Sequence, residues 1–207
     1  MDTLFGLRKA DKGSVTMKGQ KLGTVKKAIT SGMAYITEDR KISGLNLIAS
    51  VKDNISLAYM DMITRAKCLI DFKKEKKISD SLIEKLRIKC TNRDTLAGTL
   101  SGGNQQKIVI AKWFMGDPDL LIMDEPTRGI DIGAKAEIYK LMDLLVKSGK
   151  SIIMISSETP ELLGMSDRVV VMHEGHKTGE FECGELDQDK LMAYAIGEGD
   201  KGEYRHE

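Results

Sequence analysis

The sequence predicts an α/β fold on a mostly parallel sheet flanked by helices, preceded by a small β portion and a helical insert. Three observations lead there. From residue 101 onward, amphipathic helices alternate with short apolar runs, the pattern of strands joined by helical crossovers. The runs at 120–123 and 152–155 are unbroken and short, which suits buried strands. The first hundred residues read as shorter strands followed by a helical stretch. No repeat or low-complexity linker divides the chain. One domain over residues 1–196 is the economical reading, with 51–100 as an insert within it and 197–207 as a polar tail.

The elements follow in order. Residues 2–9 read as a short helical tail and 10–13 as a turn. Residues 14–18 alternate like a strand that Gly19 ends. A short helix over 24–31 is closed by Gly32. A strand at 33–37 runs into a polar loop at 38–44. Helical spacing returns at 51–60. Residues 73–88 form a charged amphipathic helix with Ile78, Leu82, Ile83 and Leu86 on one face. Its KKEKK run reads as a solvated face, with a basic docking patch as the less economical alternative.

The second half is more strongly patterned. Helix 101–115 leads to strand 119–124. Helix 134–148 places Ile138, Leu141, Met142 and Leu145 on its apolar side, and Gly149 ends it. Strand 151–155, helix 160–164 and strand 168–172 follow. Glu174-Gly175 makes a tight turn into a strand near 177–181, a hairpin. A last helix spans 186–196.

Composition narrows the function classes. The 207 residues suffice for a core without staples, and 41% hydrophobic with 30% charged residues is ordinary globular composition. Thirty-two basic against 31 acidic side chains leave +1, which offers no electrostatic footprint for nucleic acid and no polybasic arm. No apolar run approaches the roughly 20 residues that cross a bilayer. The N-terminus lacks the features of a secretory signal. Cys68, Cys90 and Cys183 are scattered and odd in number, which implies a reducing, cytoplasmic setting. His173 and His176 flank a turn and read as surface residues rather than zinc ligands. Trp113 reads as packed on the core or a neighbour, and the methionines mostly as core filler.

Two motifs carry chemistry. At 120–125, LLIMDE runs four apolar residues into two carboxylates, and Pro126 stops the strand. A buried strand delivering acids at its C-terminal end has the geometry of an α/β ligand site. Upstream, LSGGNQQK at 100–107 opens a helix with Ser101 as N-cap. Gly102 and Gly103 leave backbone N–H groups bare, and a helix N-terminus of that kind binds anions. Either motif alone has a bland reading; together they are far more specific.

LSGGNQQK, LLIMDEPTRGID at 120–131 and ISSETPELLGMSDRVVVMHEG at 155–175 together resemble the nucleotide-binding domain of ABC transporters. More narrowly, the chain is similar to the C-terminal half of the two-domain ATP-binding subunits of ribose, galactoside and xylose importers. Glu38–Arg40 (EDR) and PTRGIDIGAKAEIY at 126–139 support that placement. The resemblance covers essentially the whole chain and implies a partial P-loop NTPase of ABC type with ATP and Mg as cofactors.

It also implies roles. Ser101, Gly102 and Gly103 form the signature motif, which contacts the γ-phosphate of ATP on the opposing domain of a head-to-tail dimer. Gln105 joins the nucleotide contacts, and Asn104 stands where most such proteins have Gln. Asp124 associates with Mg, through water, and Glu125 is the general base. Asp131 is the D-loop acid, reaching across the dimer. Glu38 falls near the Q-loop glutamine, the segment that touches the permease. The implied partners are a second ABC ATPase domain, a transmembrane sugar permease and, indirectly, a periplasmic or lipid-anchored sugar-binding protein, with no nucleic acid. The implied location is peripheral, on the cytoplasmic face of the membrane.

Two departures qualify the resemblance. Ser157 stands where the family has its switch histidine, and serine is shorter and cannot become cationic. The only Gly-Lys pair, Gly149-Lys150 before Ser151, has Leu144 at the first glycine position and runs from helix to strand, so it is no P-loop. The family's P-loop would lie upstream of Met1, on a strand beside 119–124. The expectation is an N-terminally truncated sugar-importer ATPase that by itself binds Mg·ATP weakly or not at all. The alternatives are a non-catalytic module donating its signature to a partner, or an inert gene fragment. A DNA-repair ATPase of the same superfamily is disfavoured by the charge and by the lack of a coiled coil or zinc hook.

Overall fold

A computed structural model describes residues 1–65 and 69–199, so Cys68 and the tail from 200 lie outside the described residues. The chain forms two compact units, Met1–Ile153 and Met154–Glu207.

In the first unit, α1 (Asp2–Phe5) is shorter than the expected 2–9 helix. Gly6 closes it at φ 85, and a Cβ there would meet the Thr24 backbone at 2.7 Å. A two-residue hairpin follows, β1 (Thr16–Met17) and β2 (Gln20–Lys21). α2 (Val25–Thr30) starts where the Thr24 hydroxyl accepts from Lys27 N–H, and β3 (Met33–Ile36) is buried throughout. The polar loop contains one π-helical turn, Arg40–Gly44, whose first N–H groups donate to the Asp39 carboxylate.

The insert is less regular than a helical reading expects. α3 (Val51–Ser56) opens with a capping box between Ser50 and Asp53. The expected helix 51–60 breaks at a tight turn, Leu57–Tyr59, before α4 (Met60–Ile63). There the Tyr59 ring packs edge-on against Trp113 and beside Gly116, where any side chain would collide. A small hairpin, β4 (Thr64–Arg65) with β5 (Leu69–Ile70), was not anticipated. α5 (Phe72–Lys85), capped by Asp71, buries Glu75, Ser79 and Leu82. Glu75 is tolerated inside because it accepts from Ser56 Oγ at 2.9 Å.

The rest of this unit is α6 (Gly102–Phe114), β6 (Leu120–Asp124), α7 (Ile132–Lys147) and β7 (Ser151–Ile155), which leads into the second unit. The sheet order is β3-β6-β7, with β3 and β6 parallel in the register Tyr35 to Ile122. β6 is therefore central, with both edges occupied. This corrects the expectation that the strand leading into a P-loop lies beside it. Ile36, Ile108, Ile110, Leu121, Ile122 and Met123 form the centre of the core, and α7 buries the four residues its periodicity assigns. Trp113 stacks edge-on against Phe5. Met33, Met115, Met123 and Met142 fill the core, whereas Met60, Met62, Met172 and Met192 are exposed.

The second unit begins with α8 (Thr159–Met165), followed by the antiparallel hairpin β8 (Arg168–His173) and β9 (His176–Glu182). Glu174 and Gly175 both adopt positive φ, as a two-residue hairpin turn requires. α9 (Gln188–Ala195) is capped by Asp187. Val169, Val171, Leu186 and Leu191 form its core, with Leu162, Leu163, Phe181 and Tyr194 packed on them. His173 Nδ1 lies 2.8 Å from Ala195 O, a bond within the unit.

Candidate functional site

β6 ends on its two acids, both partly buried. Asp124 is bonded to Tyr35 on the neighbouring strand, whose hydroxyl lies 3.2 Å from Asp124 Oδ2 and 3.3 Å from Asp2 Oδ1. Burial, and then the charges of Asp124 and Asp2, push the Tyr35 phenol well above the usual tyrosine range. It therefore stays protonated and acts as a donor to the carboxylate. Glu125 has a left-handed backbone, φ 48, which is costly for a residue with a Cβ. The strand stops there, and Arg128 N–H closes a turn onto Glu125 O at 3.1 Å. The turn ends at Asp131, which N-caps α7 by accepting from Ala134 N–H at 2.9 Å.

At the start of α6, Ser101 occupies the N-cap position with extended backbone but makes no side-chain cap bond. Its Oγ instead accepts from Asn104 Nδ2 at 2.9 Å, while Asn104 Oδ1 accepts from Lys89 N–H at 2.7 Å. With Oγ accepting from Asn104, the hydroxyl proton can be donated elsewhere.

Gly102 and Gly103 each have an internal reason to be glycine. A Cβ on Gly102 would lie 2.9 Å from Arg40 Nη2, and one on Gly103 would lie 2.5 Å from the Ala134 Cβ. Neither has left-handed φ, so the constraint is space rather than backbone strain. Gln105 is buried, and its Nε2 donates to Leu100 O at 3.0 Å and Ala97 O at 3.3 Å. Its amide thus braces the turn before α6.

Glu38 is exposed and forms an ion pair with Arg128 Nη1. Two residues on, Arg40 donates from Nη1 to Arg128 O at 2.6 Å and from Nη2 to Gly129 O at 3.0 Å. The Glu38 loop is thus tied to the turn between Glu125 and Asp131. Sequence reasoning assigned no role to Tyr35, Arg40 or Arg128. The one signal available was two short charged strings, EDR and TRG, of the kind that often pair.

Ser157 is exposed in the loop after β7, within the second unit. There Ser156 donates to the Glu161 carboxylate and accepts from Glu158 N–H. The Gly149-Lys150 pair has no phosphate geometry. Gly149 ends α7 at φ 88, and Lys150 Nζ pairs with Asp117 at 2.7 Å.

The family model described as ABC transporter matches residues 1–128. The chain belongs to the ABC transporter family. It is 48% identical over 200 residues to a ribose import ATP-binding protein of Oceanobacillus iheyensis, covering 95% of this chain and 40% of that protein. It is 50% identical over 196 residues to a putative ribose/galactose/methyl galactoside import ATP-binding protein of Rhizobium etli, covering 94% and 37%. A xylose import ATP-binding protein of Thermoanaerobacter pseudethanolicus is 48% identical over 198 residues, with 94% and 39% covered. The chain therefore spans about two fifths of the length of these relatives.

Solved ABC cassettes share the fold. An ATP-binding cassette in its ADP conformation matches with TM-score 0.76 at 20% identity, covering 95% of this chain and 81% of that one. A dimeric cassette in a post-hydrolysis state bound to ADP and Pi matches with TM-score 0.72 at 17% identity, covering 88% and 78%.

An ABC cassette implies ATP and Mg²⁺, and the residues present fit them in part. The first turn of α6 offers N–H groups and the Ser101 hydroxyl to an anion. Asp124 is one carboxylate, held by Tyr35. Among the described residues no cluster of three or more His, Cys, Asp or Glu could hold a metal ion. Mg²⁺ in nucleotide sites is bound by one or two carboxylates, waters and substrate phosphates. A Gly-rich phosphate cradle is not part of the 207-residue sequence.

Proposed function

We propose that the chain acts in an ATP-hydrolysing subunit of a simple-sugar importer, peripheral on the cytoplasmic face of the membrane. In this reading it binds a transmembrane permease, to which a periplasmic or lipid-anchored protein delivers the sugar. The start of α6 is the observation that supports this most: an exposed Ser101, its Oγ held by Asn104, beside two glycines, in a chain whose relatives are named sugar import ATP-binding proteins. Among the described residues no helix is long and apolar enough to cross a membrane.

Ser101 Oγ–H and the N–H groups of Gly102 and Gly103 then donate to the γ-phosphate of ATP that an opposing, P-loop-bearing cassette holds in a head-to-tail pair. Asp124, oriented by the Tyr35 hydroxyl, and Glu125 belong to the second site of such a pair, which needs a P-loop that this 207-residue sequence does not contain. With that cradle supplied, Asp124 would hold Mg²⁺ through water, the ion would neutralise developing charge on the phosphates, and Glu125 would take the proton of the attacking water. Asp131 reaches toward the opposing cassette from its N-cap position, and the Glu38 loop transmits to the permease. Ser157 cannot supply the cationic contact of a histidine, so donation of the signature is this chain's stronger contribution.

The test pairs this chain with a P-loop-bearing importer cassette whose own signature serine is replaced by arginine. The wild-type chain should restore ATPase activity, and Ser101→Arg should remove that restoration by about 10²–10³-fold, the effect of losing one phosphate-directed donor. No restoration by the wild-type chain, or equal restoration by Ser101→Arg, overturns the reading.

A further inference from the structure

We propose that Arg40 is a positioning residue that locks three parts of the site together: the Glu38 loop, the turn between Glu125 and Asp131, and the first turn of α6. Its effect on ATP hydrolysis presupposes the role given above to Ser101; its effect on the fold does not.

The geometry is that of a fork wedged between two backbones. Arg40 opens the π-helical turn Arg40–Gly44, which the Asp39 carboxylate holds through Lys41 and Ile42 N–H. From there Nη1 and Nη2 reach successive carbonyls, Arg128 O at 2.6 Å and Gly129 O at 3.0 Å. Two parallel donors in one plane suit two adjacent acceptors, a match that the single ammonium of lysine cannot make. Gly129 is left-handed, φ 66, so the turn presents both carbonyls to the same guanidinium.

The other side of the fork faces α6. Nη2 lies 2.9 Å from the place a Gly102 Cβ would take, and Gly129 O lies 3.3 Å from it. Arg40 Nε is buried without a partner, so the two carbonyls are the hydrogen bonds that fix the guanidinium. The Glu38–Arg128 ion pair ties the same loop to the same turn a second time. A displacement of the Glu38 loop therefore moves the turn carrying Asp131 and presses on the residue next to Ser101. This gives the permease-facing loop a mechanical route to both the D-loop acid and the signature hydroxyl.

The contact can be broken from either side. Gly102 has ordinary φ, so alanine is disfavoured there chiefly by the fork. Gly102→Ala should lower the melting midpoint of the chain by about 2–4 °C. In an Arg40→Ala background it should lower it by less than about 1 °C further. In the ATPase restoration assay, Arg40→Ala should cut kcat roughly tenfold and leave KM for ATP within about twofold. Arg40→Lys should behave like Arg40→Ala.

Equal midpoint losses from Gly102→Ala in both backgrounds overturn the lock. A wild-type kcat for Arg40→Ala, or full activity of Arg40→Lys, overturns the positioning role. If the wild-type chain restores no activity, the signature reading fails, and the thermal cycle still decides whether Arg40 holds Gly102.

Discussion

The central strand of the first unit and the hairpin of the second are built from the same residue types and used in opposite ways. In β6, Leu121, Ile122 and Met123 are all 0% exposed. In β8, Val169 and Val171 are 6% exposed, while Val170 is 49% and Met172 55% exposed. A strand covered on both faces can offer functional groups only at its end, and β6 ends on Asp124 and Glu125. A strand covered on one face carries polar contacts along its length, as Arg168 does with Glu180 across the hairpin. The difference is one of period: a continuous apolar run against an alternating one.

The largest expected effect tests that contrast directly. Ile122→Ala leaves a cavity at the centre of a sheet sealed on both faces and should cost about 3–5 kcal/mol. Val171→Ala should cost roughly 1.5–2.5 kcal/mol, because fewer methylenes leave a thinner core. Trp113 fluorescence in denaturant reports the first, and amide exchange in β8 reports the second. Equal losses would break the comparison.

Lys112 sharpens it. In the first unit its ammonium is buried and donates to Gly44 O at 2.5 Å, and burial pulls its pKa from 10.5 down to about 8. In the second unit Lys190 keeps an exposed ammonium over the Phe181 ring. Between pH about 8 and 10.5 the unfolded chain retains a Lys112 proton that the folded chain has released. Stability from this group therefore rises with pH through that window and is flat below it. Lys112→Met should remove a rise on the order of 1–3 kcal/mol. Unfolding midpoints of both proteins at pH 7.5 and 10 check this, and parallel responses would show that Lys112 is not the source.

The smallest effect should be the same in both units. Asp131 caps α7 through Ala134 N–H, and Asp187 caps α9 through Lys190 N–H at 2.7 Å. Replacing either by alanine should cost about 1 kcal/mol, since a cap depends on one local bond. Denaturant titration of each variant measures it. A twofold disparity would mean that one cap bears a tertiary load.

Several elements were legible because their determinants are local. Strand Ser151–Ile155 has the bounds its apolar run predicts, and Ile138, Leu141, Met142 and Leu145 are buried as their spacing predicts. The hairpin turn at Glu174-Gly175 follows from the positive φ that glycine tolerates. The first half was harder to read. The break at 57–59 comes from Tyr59 meeting Trp113, more than fifty residues away in sequence, and no propensity encodes that. The 64–70 hairpin is two residues per strand, too short to show a period.

At the candidate site Ser101, Asp124 and Glu125 stood out because a helix start and a strand end can be recognised from adjacent residues, and Asp131 was added by the ABC resemblance. The sequence also determined the α/β class and the ABC resemblance, and it ruled out the Gly149-Lys150 decoy by the order of the elements around it. Tertiary structure alone decided the rest. It placed β6 between β3 and β7, turned Gln105 inward, put Tyr35 on Asp124 and set the Arg40 fork against Gly102. The physical reason is range. Periodicity, caps and turns act over a few residues, whereas these contacts join groups up to 89 positions apart, and only packing determines which of them meet.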